Sequence, residues 1–109
     1  MLKAIIVDNE KPAIDILRIL LEKTGQIEVV GSFMSAAAAD FGFQSLNPDV
    51  AFLDIEMPGI SGLELAEKII STDGDIEIIF VTAYDQYALE AFRVNALDYL
   101  LKPLSYEDV

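Results

Sequence analysis

Five residues stand out by position as much as by type. Asp8 and Asn9 follow the apolar run Leu2–Val7, Asp54 follows Val50–Leu53, Thr82 follows the run 76–81, and Lys102 follows the run 97–101. Two carboxylates and an amide oxygen make a hard-oxygen set suited to magnesium, which keeps several of its waters and so needs few protein ligands. A carboxylate can also act as a nucleophile and become an aspartyl phosphate. The metal and the ammonium of Lys102 would neutralise phosphoryl oxygens during in-line transfer, and the Thr82 hydroxyl could donate to one of them.

That chemistry needs four distant segments to meet, and the pattern of elements says how. The apolar runs 2–7, 27–30, 50–53, 76–81 and 97–101 are short and mostly β-branched, so they read as buried strands. Helical patterns alternate with them. Pro12 suits a first helical turn, Ile14, Leu17, Leu20 and Leu21 recur at helical spacing, and Gly25 closes that helix. Ser35 can cap a second helix through the alanine run 36–39, although Gly42 weakens the pattern. Ser61 can cap a third, carrying Leu63, Leu65, Ala66, Ile69 and Ile70. Residues 85–93 read as a fourth, with Tyr87, Ala88, Ala91 and Phe92 on its buried side. Ser105 is placed to cap a further helix, so the chain is expected to be one domain, 1–109, cut from a longer protein with its fifth helix largely missing.

Repeated β-α-β units argue for a parallel sheet covered on both faces. In such a sheet the ligand lies outside the carboxyl ends of the strands, where the strand order reverses. Asp8, Asn9, Asp54, Thr82 and Lys102 all sit at those ends, so they are expected to share one pocket. Phe33, Phe41, Phe43, Phe52, Phe80 and Phe92 are expected in the core, and Asp73-Gly74-Asp75 in a solvated turn.

Composition narrows the function classes. With 109 residues and 53% apolar content the chain can pack one core. Its net charge of -12 repels phosphate backbones, which speaks against direct nucleic-acid binding and suits a magnesium site or a partner with a basic patch. The chain has no cysteine and no histidine, which removes disulfides, thiolate zinc sites, cysteine nucleophiles and imidazole bases together. The start MLKAIIVDNE does not have the form of a signal peptide, and no apolar run reaches the roughly 18 residues of a membrane span. A cytoplasmic location is expected.

The stretches IIVDNE, VAFLDIEMPGISG, IIFVTAYD and LDYLLKP cover almost the whole chain and resemble the receiver domains of two-component response regulators. The resemblance implies an α/β, flavodoxin-like, doubly wound sheet of order 2-1-3-4-5, for which a chemotaxis receiver is a known instance. It implies Asp54 as phosphoacceptor from a histidine kinase, and Mg2+ held by Asp8, Asn9, Asp54 and the backbone carbonyl of Glu56. It implies Thr82 and Lys102 as the hydroxyl and ammonium of the site and Tyr99 as a switch aromatic. It implies Glu56 and Tyr84 as residues that tune hydrolysis, and a cis bond before Pro103. The domain would then catalyse its own phosphorylation and dephosphorylation while serving as a signalling switch. Its helix 4–strand 5 face would change affinity for a partner, a second copy or an output domain. The stretch FVTAYDQYALEAFRVNALDYLLKP resembles receivers joined to DNA-binding output domains of the LytTR type.

Asn9 departs from the pattern, since that position usually carries a carboxylate, and weaker magnesium binding is expected. Each residue also has a plainer role open to it. Asp54 could end a turn, Asn9 could cap the first helix, Thr82 could bond to backbone, Lys102 could be a solvated loop lysine, and Tyr99 could be core. Asn9 also leaves room for a pseudo-receiver that binds partners without phosphorylation. A phosphatase using an aspartate nucleophile fits poorly, because Glu56 stands where its second aspartate would be.

Overall fold

The computed structural model describes residues 1–104. Its strands are β1 (Leu2–Val7), β2 (Ile27–Phe33), β3 (Val50–Leu53), β4 (Glu77–Thr82) and β5 (Asp98–Leu101). The helices between them are α1 (Lys11–Lys23), α2 (Ala36–Leu46), α3 (Gly62–Thr72) and α4 (Ala88–Arg93). All strand pairs are parallel, in the order β2-β1-β3-β4-β5. The order reverses at β1 and β3, so the expected crevice lies at their carboxyl ends.

Alternate residues of each strand feed two separate cores. Ile5, Val7, Ala51, Leu53, Ile78 and Phe80 face α2, α3 and α4, where Ala36, Ala39, Phe43, Leu65, Ala66, Ile69 and Ala91 meet them. Ala4, Ile6, Val50, Phe52 and Val81 face α1 through Ile14, Leu17 and Leu21. A groove of about 460 Å3 remains on the α1 side among the described residues, lined in part by Ile16, Leu17, Val81, Pro103 and Leu104. Ser105 and the helix expected from it lie outside the described residues.

The helix signals hold in detail. The hydroxyl oxygens of Ser35 and Ser61 accept from the backbone N–H groups of Ala38 and Glu64, each satisfying a donor that the first turn leaves free. Gly25 follows α1 with φ +72°, a conformation that glycine adopts without strain.

Several expectations need correction. Asn9 does not cap α1: the cap position is Glu10, which makes no side-chain cap bond. The second strand does not stop at Gly31 but runs to Phe33: past a register shift between Ala4 and Ile5 that leaves Val30 as an extra residue, residues 31–33 stay paired with Ile5, Ile6 and Val7. Phe41 is 95% exposed and Phe92 77% exposed, so neither is core. On α2 the buried row is Ala36, Ala39, Phe43, which turns Phe41 outward. The fourth helix covers only Ala88–Arg93, and of its expected buried side only Ala91 is fully buried; Ala88 and Phe92 face solvent, and Tyr87, just before the helix, is half-buried.

Candidate functional site

The carboxyl ends of β1 and β3 are neighbours, with Val7 opposite Leu53. The next residue of each chain is therefore delivered side by side. The Asp54 N–H donates to the Val7 carbonyl at 2.9 Å and the Asp8 N–H to the Phe33 carbonyl at 3.1 Å, so the sheet ladder continues into the site. Asp8 and Asp54 are buried, at 4% and 6% exposure. One oxygen of each carboxylate accepts a local backbone N–H, Glu10 to Asp8 at 2.9 Å and Ile55 to Asp54 at 2.7 Å. The other oxygens converge on Lys102, whose ammonium lies 2.7 Å from Asp8 and 3.2 Å from Asp54.

Lys102 reaches them because β5 ends beside β4, where its N–H donates to the Thr82 carbonyl at 2.9 Å. The bond from Lys102 to Pro103 is cis. Burial pushes the Asp8 carboxyl above its usual range, against the hydrogen bonds from Lys102 and Glu10 that pull it down. Burial works to lower the Lys102 ammonium, but the two carboxylates outweigh it and hold it above its usual value. The contact between Asp8 and Lys102 favours the charged form of both partners, while burial disfavours it in each.

Thr82 is fully buried at the carboxyl end of β4, and its hydroxyl oxygen accepts from the Tyr84 N–H at 3.4 Å. The carbonyl of the same Tyr84 accepts from the Tyr99 hydroxyl. Tyr99 is half-buried, with its ring tilted against Phe80 at 6.2 Å. The backbone of one residue, Tyr84, thus connects the strand-end hydroxyl with the aromatic of β5.

The structure brings together Asp8, Asp54 and Lys102, with Thr82 on the adjacent strand end. Asn9 and Glu56 are exposed beside the two aspartates. Among the described residues no group of three or more acidic, histidine or cysteine side chains gathers. A divalent ion here would take two carboxylates, an amide or backbone carbonyl oxygen, and water. That donor set is hard and under-neutralised, and it suits magnesium.

Sequence reasoning passed over Gly62. A Cβ at that position would strike the Asp54 carbonyl, so α3 approaches the loop after β3 backbone to backbone. A glycine just after the Ser61 cap was the available signal. Tyr87 was taken as an ordinary core residue, yet it lines a cavity together with Glu56.

A model of the response regulator receiver domain matches residues 4–109. The chain belongs to that family. It is 47% identical over 104 residues to the transcriptional regulatory protein BtsR of Salmonella typhi, covering 95% of this chain and 43% of that protein. It is 42% identical over 109 residues to the sensory transduction protein LytT of Bacillus cereus, covering 100% of this chain and 44% of LytT. Among solved structures, the response regulatory domain of mrkE from Klebsiella pneumoniae superposes with a TM-score of 0.90 at 37% identity, covering 97% of this chain and 87% of that one. The receiver thus spans less than half the length of the curated relatives it matches. Its sheet order is the flavodoxin-like one expected, and its relatives include transcriptional regulators. Among the described residues no helix is long and apolar enough to cross a membrane.

Proposed function

We propose that this receiver takes a phosphoryl group from a histidine kinase onto Asp54 and thereby switches its α4–β5 face. The observation that carries this is the convergence of Asp54, Asp8 and Lys102 from three strand ends, with Lys102 bonded to both carboxylates. In the transfer, a carboxylate oxygen of Asp54 bonds to phosphorus as the bond from phosphorus to the kinase's phosphorylated nitrogen breaks. The leaving nitrogen keeps that electron pair and the carboxylate becomes an acyl phosphate.

The chain's own groups divide the work. The strand ends fix the Asp54 carboxylate, and the Ile55 N–H orients one of its oxygens. Lys102 supplies positive charge where phosphoryl charge accumulates. Asp8, Asn9, Asp54 and the Glu56 carbonyl would hold Mg2+, which when bound supplies further charge neutralisation.

The readout runs through Thr82 and Tyr99. Drawing the Thr82 hydroxyl to a phosphoryl oxygen takes it from the Tyr84 N–H, and the Tyr84 carbonyl is what Tyr99 bonds. Phosphorylation so biases the β4–α4 loop and Tyr99 together. The face they support exposes Leu89, Phe92, Leu97 and Leu101, an apolar surface for a second copy or for the output domain of the parent regulator, a DNA-binding one by the resemblance to LytTR-type receivers and in keeping with BtsR being a transcriptional regulatory protein.

Incubation with acetyl phosphate and Mg2+, read by intact mass, tests the reading. The wild type should gain one phosphoryl group and Asp54→Ala none. No gain by the wild type would leave the phosphorylation-independent interaction module as the better description. Light scattering before and after labelling tests the second-copy arm, with a rise in mass expected only after labelling.

A further inference from the structure

Helix α2 presents a different surface from its neighbours. At helical spacing Ala37, Ala38, Phe41, Gln44 and Ser45 share its outer side, and all five are exposed, Phe41 almost completely. None of them carries a charge. By contrast, α1 exposes Lys11, Asp15, Glu22 and Lys23, and α3 exposes Glu64, Glu67 and Lys68. Asp40 is the only charged residue between Glu28 and Asp49, and it is paired with Lys68 of α3 at 3.6 Å. The outer side of α2 is thus a neutral patch on a chain of net charge -12. Nor is the helix loosely held. Ser35 caps it, and Ala36, Ala39 and Phe43 bury its inner side. A Cβ on Gly31 would run into Leu46, and one on Gly42 would press on the Phe33 ring, so α2 and β2 approach closely at two points. Phe41 is therefore held outward by a helix whose inner side is fully committed.

We propose that this face is a self-association surface, on which α2 of a second copy packs antiparallel about a two-fold axis. Phe41 is the knob, and Ala37 and Ala38, one turn earlier on the same side, leave the hole. An antiparallel partner brings its Phe41 over Ala37 and Ala38 while its own alanines receive the first Phe41, so one two-fold contact satisfies both. Charge selects the same occupant. Two copies of so acidic a chain repel in most approaches, and a face without charge lets them touch at the least cost. A basic partner would find nothing on it to pair with. Helix α2 packs on β2, one edge of the sheet, whereas β5 is the other edge, so this surface is separate from the α4–β5 face. The contact is small. An 11-residue helix is about 16 Å long, and one such pair buries less than the roughly 1,000 Å2 that a stable interface clears. The association is therefore weak, with a Kd of roughly 0.1–1 mM, and is dissociated at the micromolar concentrations at which phosphoryl labelling is read. It gains weight where two chains are already held close, because tethering supplies millimolar effective concentrations.

The test is sedimentation equilibrium of the unphosphorylated chain from about 10 µM to about 1 mM. The average mass should climb from 12.0 kDa towards twice that value, and more strongly in high salt, which screens the acidic surfaces. Phe41→Glu should hold the mass at one chain throughout, a weakening of about tenfold or more. Phe41→Ala removes the knob, and Ala38→Phe sets two rings against each other, so each alone should weaken association. The double variant Ala38→Phe/Phe41→Ala exchanges knob and hole and should recover it. Both positions are exposed, so urea unfolding of each variant should match the wild type, which separates lost association from lost fold. A wild type that stays monomeric at every concentration overturns the proposal and leaves the face to some other partner. Association that Phe41→Glu does not change overturns it as well, because the contact then lies elsewhere. Association that weakens as salt rises contradicts a charge-free contact. If both single variants weaken association and the double variant fails to recover it, the antiparallel two-fold packing is wrong.

Discussion

The centre of this sheet and its β5 edge are built to different standards. On β1 and β3 the residues leading to the carboxyl ends are all buried, Ala4 to Val7 and Val50 to Leu53, and the chain enters Asp8 and Asp54 still buried. At the edge, β5 has no fully buried residue, and α4 is six residues long with Ala91 alone buried. Acceptor chemistry needs a carboxylate held in place, because misplacement by an ångström is costly in rate. A readout needs an element that few contacts hold, so that a small change at the pocket can shift it. Under the function proposed above, the difference separates where the charge would arrive from where its arrival would be reported, with Lys102, Thr82 and Tyr84 between the two.

The contrast can be tested from its strongest consequence to its weakest. Replacing Lys102 by alanine removes the only cation that touches either aspartate among the described residues. The rate of acetyl-phosphate labelling should fall by about 10²–10³, the usual cost of removing one charge-stabilising group from a transfer site; a loss under threefold would mean Lys102 is only structural. Leu53→Ala, at a fully buried position of β3, should cost about 3 kcal/mol in urea unfolding. Asn9→Asp adds a carboxylate beside the pair, and Mg2+ should then bind about tenfold more tightly by titration, with equal affinities removing Asn9 from the metal set. Smallest of all, Phe92→Ala on α4 should change stability by less than about 0.5 kcal/mol. If it cost as much as Leu53→Ala, the centre and the edge would not differ as described.

Much of this was readable from residue order alone. Five apolar runs, four of them closed by a polar residue, placed the strands within a residue or two except at β2, and the alternation of elements gave a parallel sheet whose ends bring Asp8, Asp54 and Lys102 together. What escaped reading did so for physical reasons. On α2 alanines and phenylalanines spread round the helix with only Asp40, Gln44 and Ser45 polar, so periodicity does not choose clearly between Phe41 and Phe43. On α4 fewer than two turns of helix are too few to define a face, and Phe92 was assigned to the wrong one. In β2 the extra residue at Val30 depends on pairing with β1, which no local pattern records. Asn9 looks like a cap, but Asp8 already accepts the Glu10 N–H. Tyr87 and Glu56 meet only because two loops do, and loop against loop has no signature in a single chain.

The most direct measurement is to find which atom carries the phosphoryl group. After labelling with acetyl phosphate and Mg2+, borohydride reduction converts an aspartyl phosphate to homoserine, which peptide mass mapping locates. The expected result is homoserine at position 54 alone. Homoserine at position 8, or none anywhere under conditions where the folded protein is confirmed, would contradict the claim that the converging strand ends make Asp54 the acceptor.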